Sequence, residues 1–384
     1  MVCVALGFTG RLVAEYMHNK YGPDGDIKWA MAGRSMDKLE SVCSEMGISG
    51  VPLVVADATD KSSLAAMSHS ARVVLSTVGP YQLYGNELLD ACVAGGTDYV
   101  DLCGEPAWMH QMIQKHQQAA MKSGSRIVFS CGFDSIPFDM GVFHLQQHAL
   151  ATLGRPCARV RARVRRMKGT FSGGTVASFR ETLTAARHDK QLISILRDPF
   201  ALTPGFRGPD QPNGSKPLYD EVVGSWVTPF VMASINTKNV HRSNFLLNCM
   251  YGGDFKYDEM LMTGGGEQGE VLARRFHEER GIEASDVQPG DGPDRAAREA
   301  GLFDVMFVGE SEDGQVQLRT AVQGDMDPGY GSTSKMVAES AICMAKNPSK
   351  EFCAGGVWTC APAMGQDLIN RLEANAGLSF NIES

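Results

Sequence analysis

Along the first 140 residues, short apolar runs alternate with segments of amphipathic helical period. The runs lie at 2–6, 27–32, 52–56, 73–78, 99–102 and 127–130, and the helical segments between them at 11–20, 36–46, 62–67, 85–94 and 106–122. Strands that alternate with helices need crossover connections, which lay the strands parallel and cover both faces of the sheet. Six runs in that rhythm predict an α/β fold, a doubly wound parallel sheet of Rossmann type with its ligand at the carboxyl ends of the strands.

Beyond residue 150 the period changes. Residues 158–164 read A-R-V-R-A-R-V, a two-residue alternation that predicts a half-solvated strand of an antiparallel sheet, with Arg159, Arg161 and Arg163 on one face. A glycine turn and helix are expected at 173–187, strands at 225–235 and 255–262, and a hairpin from 303–308 and 315–322 around a Glu-Asp-Gly turn. The stretch QPGDGPD at 288–294 reads as a surface loop. Helical period returns at 331–346 and 363–374, and these helices are expected to bury their apolar faces on the first domain. The expected division is 1–145 for the dinucleotide domain, 146–328 for an inserted α+β domain for substrate or dimerisation, and 329–384 for a returning C-terminal segment.

Composition narrows the function classes. The chain has 384 residues and a net charge of −8, with no basic tail, which speaks against nucleic-acid binding. Its ten cysteines form neither a CxxC pair nor a Cys/His cluster, so neither a metal site nor a disulfide framework is expected. No apolar run approaches the roughly 18–20 residues that cross a bilayer. The start lacks a secretory pattern. A cytoplasmic protein is expected, with peripheral membrane or lipid-droplet association left open.

The chemistry begins at VALGFTGRLV. Gly7 and Gly10 lie three apart and open a helix, the spacing that lets backbone approach a pyrophosphate at a helix amino end; Phe8 and Thr9 complete the turn. Val4 stands where the first glycine of the motif would be, and a β-branched residue resists positive φ. The second strand ends MAGRS. Gly33 occupies the place of the acid that holds the ribose hydroxyl of NAD, and Arg34, Ser35 and Lys38 follow. A guanidinium there clasps a 2′-phosphate, so NADP(H) is the expected cofactor.

The blocks GFTGRLVAEY, WAMAGRS, PLVVADATD, VVLSTVGPYQLYG, GTDYVDLCGEP and RIVFSCGFDSIPFDMG resemble the saccharopine dehydrogenase-like oxidoreductases, in the branch that contains trans-acting enoyl reductases. The likeness continues through SGGTVAS, VHRSNFLL, YGGDFKYDE, PGDGP and GDMDPGYGSTSKMVAESA, over nearly the whole chain. It implies a Rossmann-type NADP domain, an inserted α+β domain and C-terminal segments that return to the first. Family members begin with a fuller strand and GATGFTG, so a first strand shortened at its start is expected here, with cofactor affinity the property affected.

Residues just after the strands are the candidates for the rest of the site. Asp57 is placed to accept from the adenine amino group or to form a turn. Val78, Gly79 and Pro80 bend the chain beside the nicotinamide, and Tyr81 lines that pocket. Reduction of an enoyl or carbonyl carbon needs a donor for the developing negative charge and a proton source. Tyr81 is the first candidate, followed by Asp134, Ser135 and Tyr330. Glu105 either positions a ligand or caps a helix, and His241 is more simply a surface or packed residue than an acid. The arginine row would suit an acidic acyl carrier or a coenzyme A phosphate, or else be neutralised by neighbouring acids. The turn at 172–175 either offers backbone N–H groups to an anionic or carbonyl group or is a plain turn that needs no ligand.

The reading is an NADPH-dependent oxidoreductase acting on an apolar enoyl or carbonyl substrate of lipid type. Its expected partners are a small molecule or acyl thioester, with an acyl carrier protein and a second copy of the chain as candidates. The alternatives are a non-catalytic NADP-binding or lipid-associated protein and a saccharopine-type amino-acid dehydrogenase.

Overall fold

In the computed structural model, which describes residues 2–4, 7–169, 189–279, 292–347 and 353–383, the predicted alternation folds as seven parallel strands. These include β1 (Val2–Val4), β2 (Ala30–Gly33), β3 (Leu53–Val55), β4 (Val73–Ser76), β5 (Asp98–Asp101) and β6 (Arg126–Val128). The crossovers are α1 (Phe8–Tyr21), α2 (Met36–Met46), α3 (Lys61–His69), the pair α4 (Tyr81–Tyr84) and α5 (Asn86–Gly95), and α6 (Pro106–Ser123). The order β3-β2-β1-β4-β5-β6 reverses direction between β1 and β4, which opens a crevice at their carboxyl ends.

The short first strand is less of a deficit than its length suggested. Val2, Cys3 and Val4 pair with Ala30, Met31 and Ala32 on one side, and Val2 and Cys3 pair with Val74 and Leu75 on the other. Its neighbours are themselves four residues long, so three residues leave little of their edges unmatched.

From β6 the chain enters α7 (Ile136–Leu153), whose first eight residues are all buried. It lies against both β11 (Leu302–Glu310) and β12 (Gln317–Gly324) of a second sheet. Gly141 permits the close approach, since a Cβ there would sit 2.3 Å from the Phe307 ring. The second sheet runs β14-β12-β11-β7-β10-β9-β8, with β7 (Arg159–Lys168), β8 (Leu218–Asp220), β9 (Ser225–Pro229), β10 (Lys256–Gly264) and β14 (Leu378–Glu383). One continuous apolar core joins the two sheets through Phe133, Phe138, Phe303 and Phe307.

The remaining described helices are α8 (Lys190–Arg197), α9 (Ala233–Leu246), α10 (Gly266–Glu279), α11 (Arg295–Glu299), α12 (Thr333–Lys346) and α13 (Cys360–Arg371). A π-turn at Pro328–Ser332 leads into α12.

Several expectations need correction. The strand expected over 225–235 stops at Pro229, which has no N–H to continue the ladder, and helix α9 takes over from Ala233. The sheet is mixed rather than antiparallel, because β7 pairs in parallel with β10 and antiparallel with β11. The C-terminal segment divides its contacts. Helix α12 packs on α1, β4 and β5, and β13 (Gly356–Trp358) extends the first sheet beside β6, but β14 pairs with β12 in the second. The predicted helix at 173–187 and the turn at 172–175 lie outside the described residues, as does most of the loop at 288–294.

The arginine row is not an open basic surface. Arg159 pairs with Asp258, Arg161 with Glu310, Arg163 with Asp220 and Asp258, and Arg165 with Asp304 and Glu383. Carboxylates from four neighbouring strands neutralise the face that an acidic partner would have needed.

Candidate functional site

The crevice between β1 and β4 is framed by two helix starts. Gly7 is extended (φ −94°, ψ 171°), so its value is space rather than a left-handed backbone. A Cβ built on it would meet only the Thr77 carbonyl, at 3.9 Å, so the start of α1 borders open room against the end of β4. No side chain caps α1, and no acid occupies its first turn. Phe8 and Thr9 are half-buried in that turn, and Gly10 is buried beneath it. First-turn amides without a side-chain cap among the described residues, and the positive end of the helix dipole, therefore face the crevice, an arrangement that suits a diphosphate. The second helix start is occupied. At the π-turn, the Asp327 carboxylate accepts from the backbone N–H of Tyr330 at 2.9 Å and of Gly331 at 2.8 Å.

At the end of β2, Arg34 and Lys38 are exposed, and Ser35 caps α2 by accepting from the Lys38 N–H at 3.4 Å. The Arg34 guanidinium has no hydrogen bond or ion pair with a described residue. Asp57, at the end of β3, is turned inward to its own loop, accepting from the Thr59 N–H at 2.9 Å and its hydroxyl at 2.8 Å. These bonds hold the Asp57 carboxyl below the usual carboxylate range, with the nearby Arg34 charge assisting. Asp57 thus takes the turn-forming alternative. The free cation at the end of β2 and the open amides of α1 fit the adenosine 2′-phosphate and the diphosphate of NADP(H).

After β4 come Val78, Gly79 and Pro80, joined by a cis Gly79–Pro80 peptide, and Tyr81 begins α4. Tyr81 corrects the expectation of a donor. Its ring is buried against Trp108 at 5.5 Å, while its hydroxyl donates to the Ser76 carbonyl at 3.2 Å and accepts from the Leu102 N–H at 3.1 Å. Burial pushes the phenol well above its ordinary range, with Asp101 reinforcing the shift. The side chain is a strut between the ends of β4 and β5. Glu105 supports the same corner from β5, accepting from the N–H groups of Tyr81 at 2.8 Å and Gln82 at 2.9 Å.

Ser135 is also engaged. Its hydroxyl donates to Asn236 at 3.1 Å and accepts from Asn239 at 2.6 Å, which ties the start of α7 to α9. Its φ of 140° is strained for a residue with a side chain, and these bonds hold it there. Asn236 passes the network to Glu259, which burial raises to about 8. Tyr330 is buried and meets the Phe8 ring edge-on at 5.2 Å, so it forms a wall behind the glycine turn.

Asp134 differs from the other three. Its half-buried carboxyl has no hydrogen-bond or ion-pair partner among the described residues, and burial alone raises it to about 7. It lies at the carboxyl end of β6, against Gly104 at the end of β5, where a Cβ would come within 3.1 Å of its Oδ2. A carboxyl poised near neutrality beyond the ends of β5 and β6 can hold and release a proton at working pH.

Sequence reasoning gave no role to Thr333 or Asp327, although both stand in the block GDMDPGYGSTSKMVAESA. The Thr333 hydroxyl accepts from the Phe133 N–H at 2.9 Å and donates to the Pro328 carbonyl at 2.8 Å, joining the π-turn to the end of β6. The block DMDPGYGST carried the signal, as an aspartate one residue ahead of a proline at a helix start. His241 is packed against Phe200 at 4.6 Å, and burial lowers it to about 3. Among the described residues no cluster of three or more His, Cys, Asp or Glu could hold a metal ion, and no helix is long and apolar enough to cross a membrane.

The chain is similar to known proteins along nearly its whole length. The model for the saccharopine dehydrogenase NADP binding domain matches residues 2–128. A Mycobacterium tuberculosis protein of the trans-acting enoyl reductase group is 39% identical over 98% of this chain and 95% of its own length. The trans-acting enoyl reductase of Mycobacterium ulcerans is 34% identical over 96% of this chain and 94% of its own. Among solved structures, the apo saccharopine dehydrogenase (L-Glu forming) of Saccharomyces cerevisiae aligns over 97% of this chain and 98% of its own, with 13% identity and a TM-score of 0.48.

Proposed function

The chain belongs to the saccharopine dehydrogenase-like oxidoreductases, in the branch of the trans-acting enoyl reductases, and on that premise we propose that it reduces an apolar enoyl or carbonyl carbon, with Asp134 as the proton donor. It is an NADP(H)-dependent oxidoreductase. The reduced cofactor, when bound, supplies a hydride to the electrophilic carbon of the substrate.

The chain's own residues account for the rest. The open start of α1 receives the diphosphate, and Arg34 receives the 2′-phosphate with Ser35 and Lys38 beside it. Tyr81 and Glu105 brace the ends of β4 and β5, so the floor of the crevice is held rigidly by buried hydrogen bonds. Phe8 and Tyr330 exclude water from one side. In enoyl reduction the hydride adds to the β-carbon and the electron pair moves to the α-carbon, where the proton from Asp134 completes the addition. The carboxylate left behind is reprotonated from solvent through its half-open face.

The observation that carries this reading is the carboxyl of Asp134, without a hydrogen-bond or ion-pair partner among the described residues and raised to about 7 beside Gly104. An amino-acid substrate with several carboxylates would need converging free cations, and Arg159, Arg161, Arg163 and Arg165 of β7 are already paired with acids. An acyl thioester fits better, delivered free or on an acyl carrier protein. The test is turnover of enoyl thioesters of increasing chain length with 4-deuterated NADPH in ordinary water. Deuterium at the β-carbon and hydrogen at the α-carbon support the mechanism. No consumption of NADPH with any enoyl or carbonyl substrate would leave a binding protein instead.

A further inference from the structure

We propose that Arg298, far along the chain from the glycine turn, is a cofactor-binding residue whose guanidinium holds the diphosphate at the start of α1. The inference rests on the NADP(H) reading above.

Placement comes first. Phe8 is the first helical residue of α1, and the guanidinium carbon of Arg298 lies 5.9 Å from the centre of its ring. The segment that carries Arg298 is seated on the same ring, for a Cβ on Gly292 would come within 2.4 Å of it. The segment is braced from behind, where the Arg298 carbonyl accepts from the Asp327 N–H at 2.9 Å. One side of the glycine turn is therefore built by residues 292–298 together with Tyr330.

Charge is the second observation. Arg298 is half-buried, and among the described residues its guanidinium forms no ion pair and one hydrogen bond, from Nη1 to the Pro293 carbonyl at 2.7 Å. Asp327 feels its charge, but that carboxylate is committed to the N–H groups of Tyr330 and Gly331. Arg295, one turn earlier, pairs with Glu15, and Arg159, Arg161, Arg163 and Arg165 of β7 pair with acids. A cation beside the positive end of an uncapped helix is unfavourable unless an anion joins them. Stacking on Phe8 is worth only about 0.5–1 kcal/mol at such a site and does not use the remaining donors. A diphosphate between the helix start and the guanidinium satisfies both.

The test is binding, read by isothermal titration of the full chain with NADPH, NADH and adenosine 2′-monophosphate, which lacks the diphosphate. Arg298→Gln is expected to raise Kd for NADPH and NADH alike by about ten- to a hundredfold, the usual worth of a hydrogen bond to a charged group. Adenosine 2′-monophosphate should bind unchanged, and Arg298→Lys should recover part of the loss. Unaltered NADPH binding by Arg298→Gln overturns the inference. So does an equal loss for adenosine 2′-monophosphate, which would mean that the variant disturbs the fold rather than the diphosphate seat. If the unsubstituted chain binds no NADPH, the cofactor reading itself fails, a result distinct from both.

Discussion

Replacing Asp134 by Asn should make the protein more stable and less active, and the gain in stability should depend on pH. The folded carboxyl titrates near 7 because burial disfavours its charge, whereas an unfolded aspartate titrates at about 4. Below about pH 4 both states hold the proton, and the group is neutral to stability. Between about 4 and 7 the unfolded chain releases the proton while the folded chain keeps it, so stability falls as pH rises. Above about 7 the loss levels off at up to about 4 kcal/mol, an upper bound because the side chain is half-open to solvent. Asn keeps the shape without the charge. Urea unfolding at pH 4.5 and pH 8 should therefore show a small difference between variant and parent at the lower pH and a gain of about 1–4 kcal/mol at the higher. In the same preparations NADPH-dependent turnover should fall by about 10²–10⁴, the ordinary contribution of a general acid. A gain of equal size at both pH values would refute the raised pKa. Unchanged turnover would remove Asp134 from the chemistry.

Other expectations follow from the same geometry. In the parent enzyme kcat should decline as pH rises through about 7, as Asp134 loses the proton it must donate, and a pH–rate profile checks this directly. Tyr81→Phe should keep turnover within a few-fold but lower stability by about 1–3 kcal/mol, because the Leu102 N–H loses its acceptor; denaturation and steady-state kinetics separate the two effects. Arg34→Ala should weaken NADPH by about tenfold or more and leave NADH nearly unchanged, as read by titration. Gly141→Ala should cost about 1–3 kcal/mol in a melting or denaturant experiment, since the added methyl meets the Phe307 ring.

The first sheet was readable because a strand–helix rhythm leaves apolar runs at regular spacing, and the glycine turn with Arg34 follows from where such sheets bind. The second half was harder to read. Strands β8, β13 and β14 are short or terminal, and whether they join a sheet depends on partners far away in sequence. Tyr81 illustrates the limit within the site. Its position after a strand placed it at the crevice, but only tertiary packing decides that its hydroxyl turns inward to Ser76 and Leu102. Arg298 was invisible for a related reason, as its relation to Phe8 arises only when the chain returns to the glycine turn. Asp134 was named from its place after β6, yet its separation from Tyr81, Ser135 and Tyr330 needed the hydrogen bonds that engage Tyr81 and Ser135 and the burial that makes Tyr330 a wall.

The account depends most on a diphosphate seated at the start of α1 with a 2′-phosphate at Arg34. Calorimetric titration of the purified chain with NADPH and NADH tests it most directly. The expected result is saturable binding of one NADPH per chain, at least about tenfold tighter than NADH, because only NADPH engages the Arg34 guanidinium. Equal affinity for the two nucleotides, or no heat from either, would contradict it.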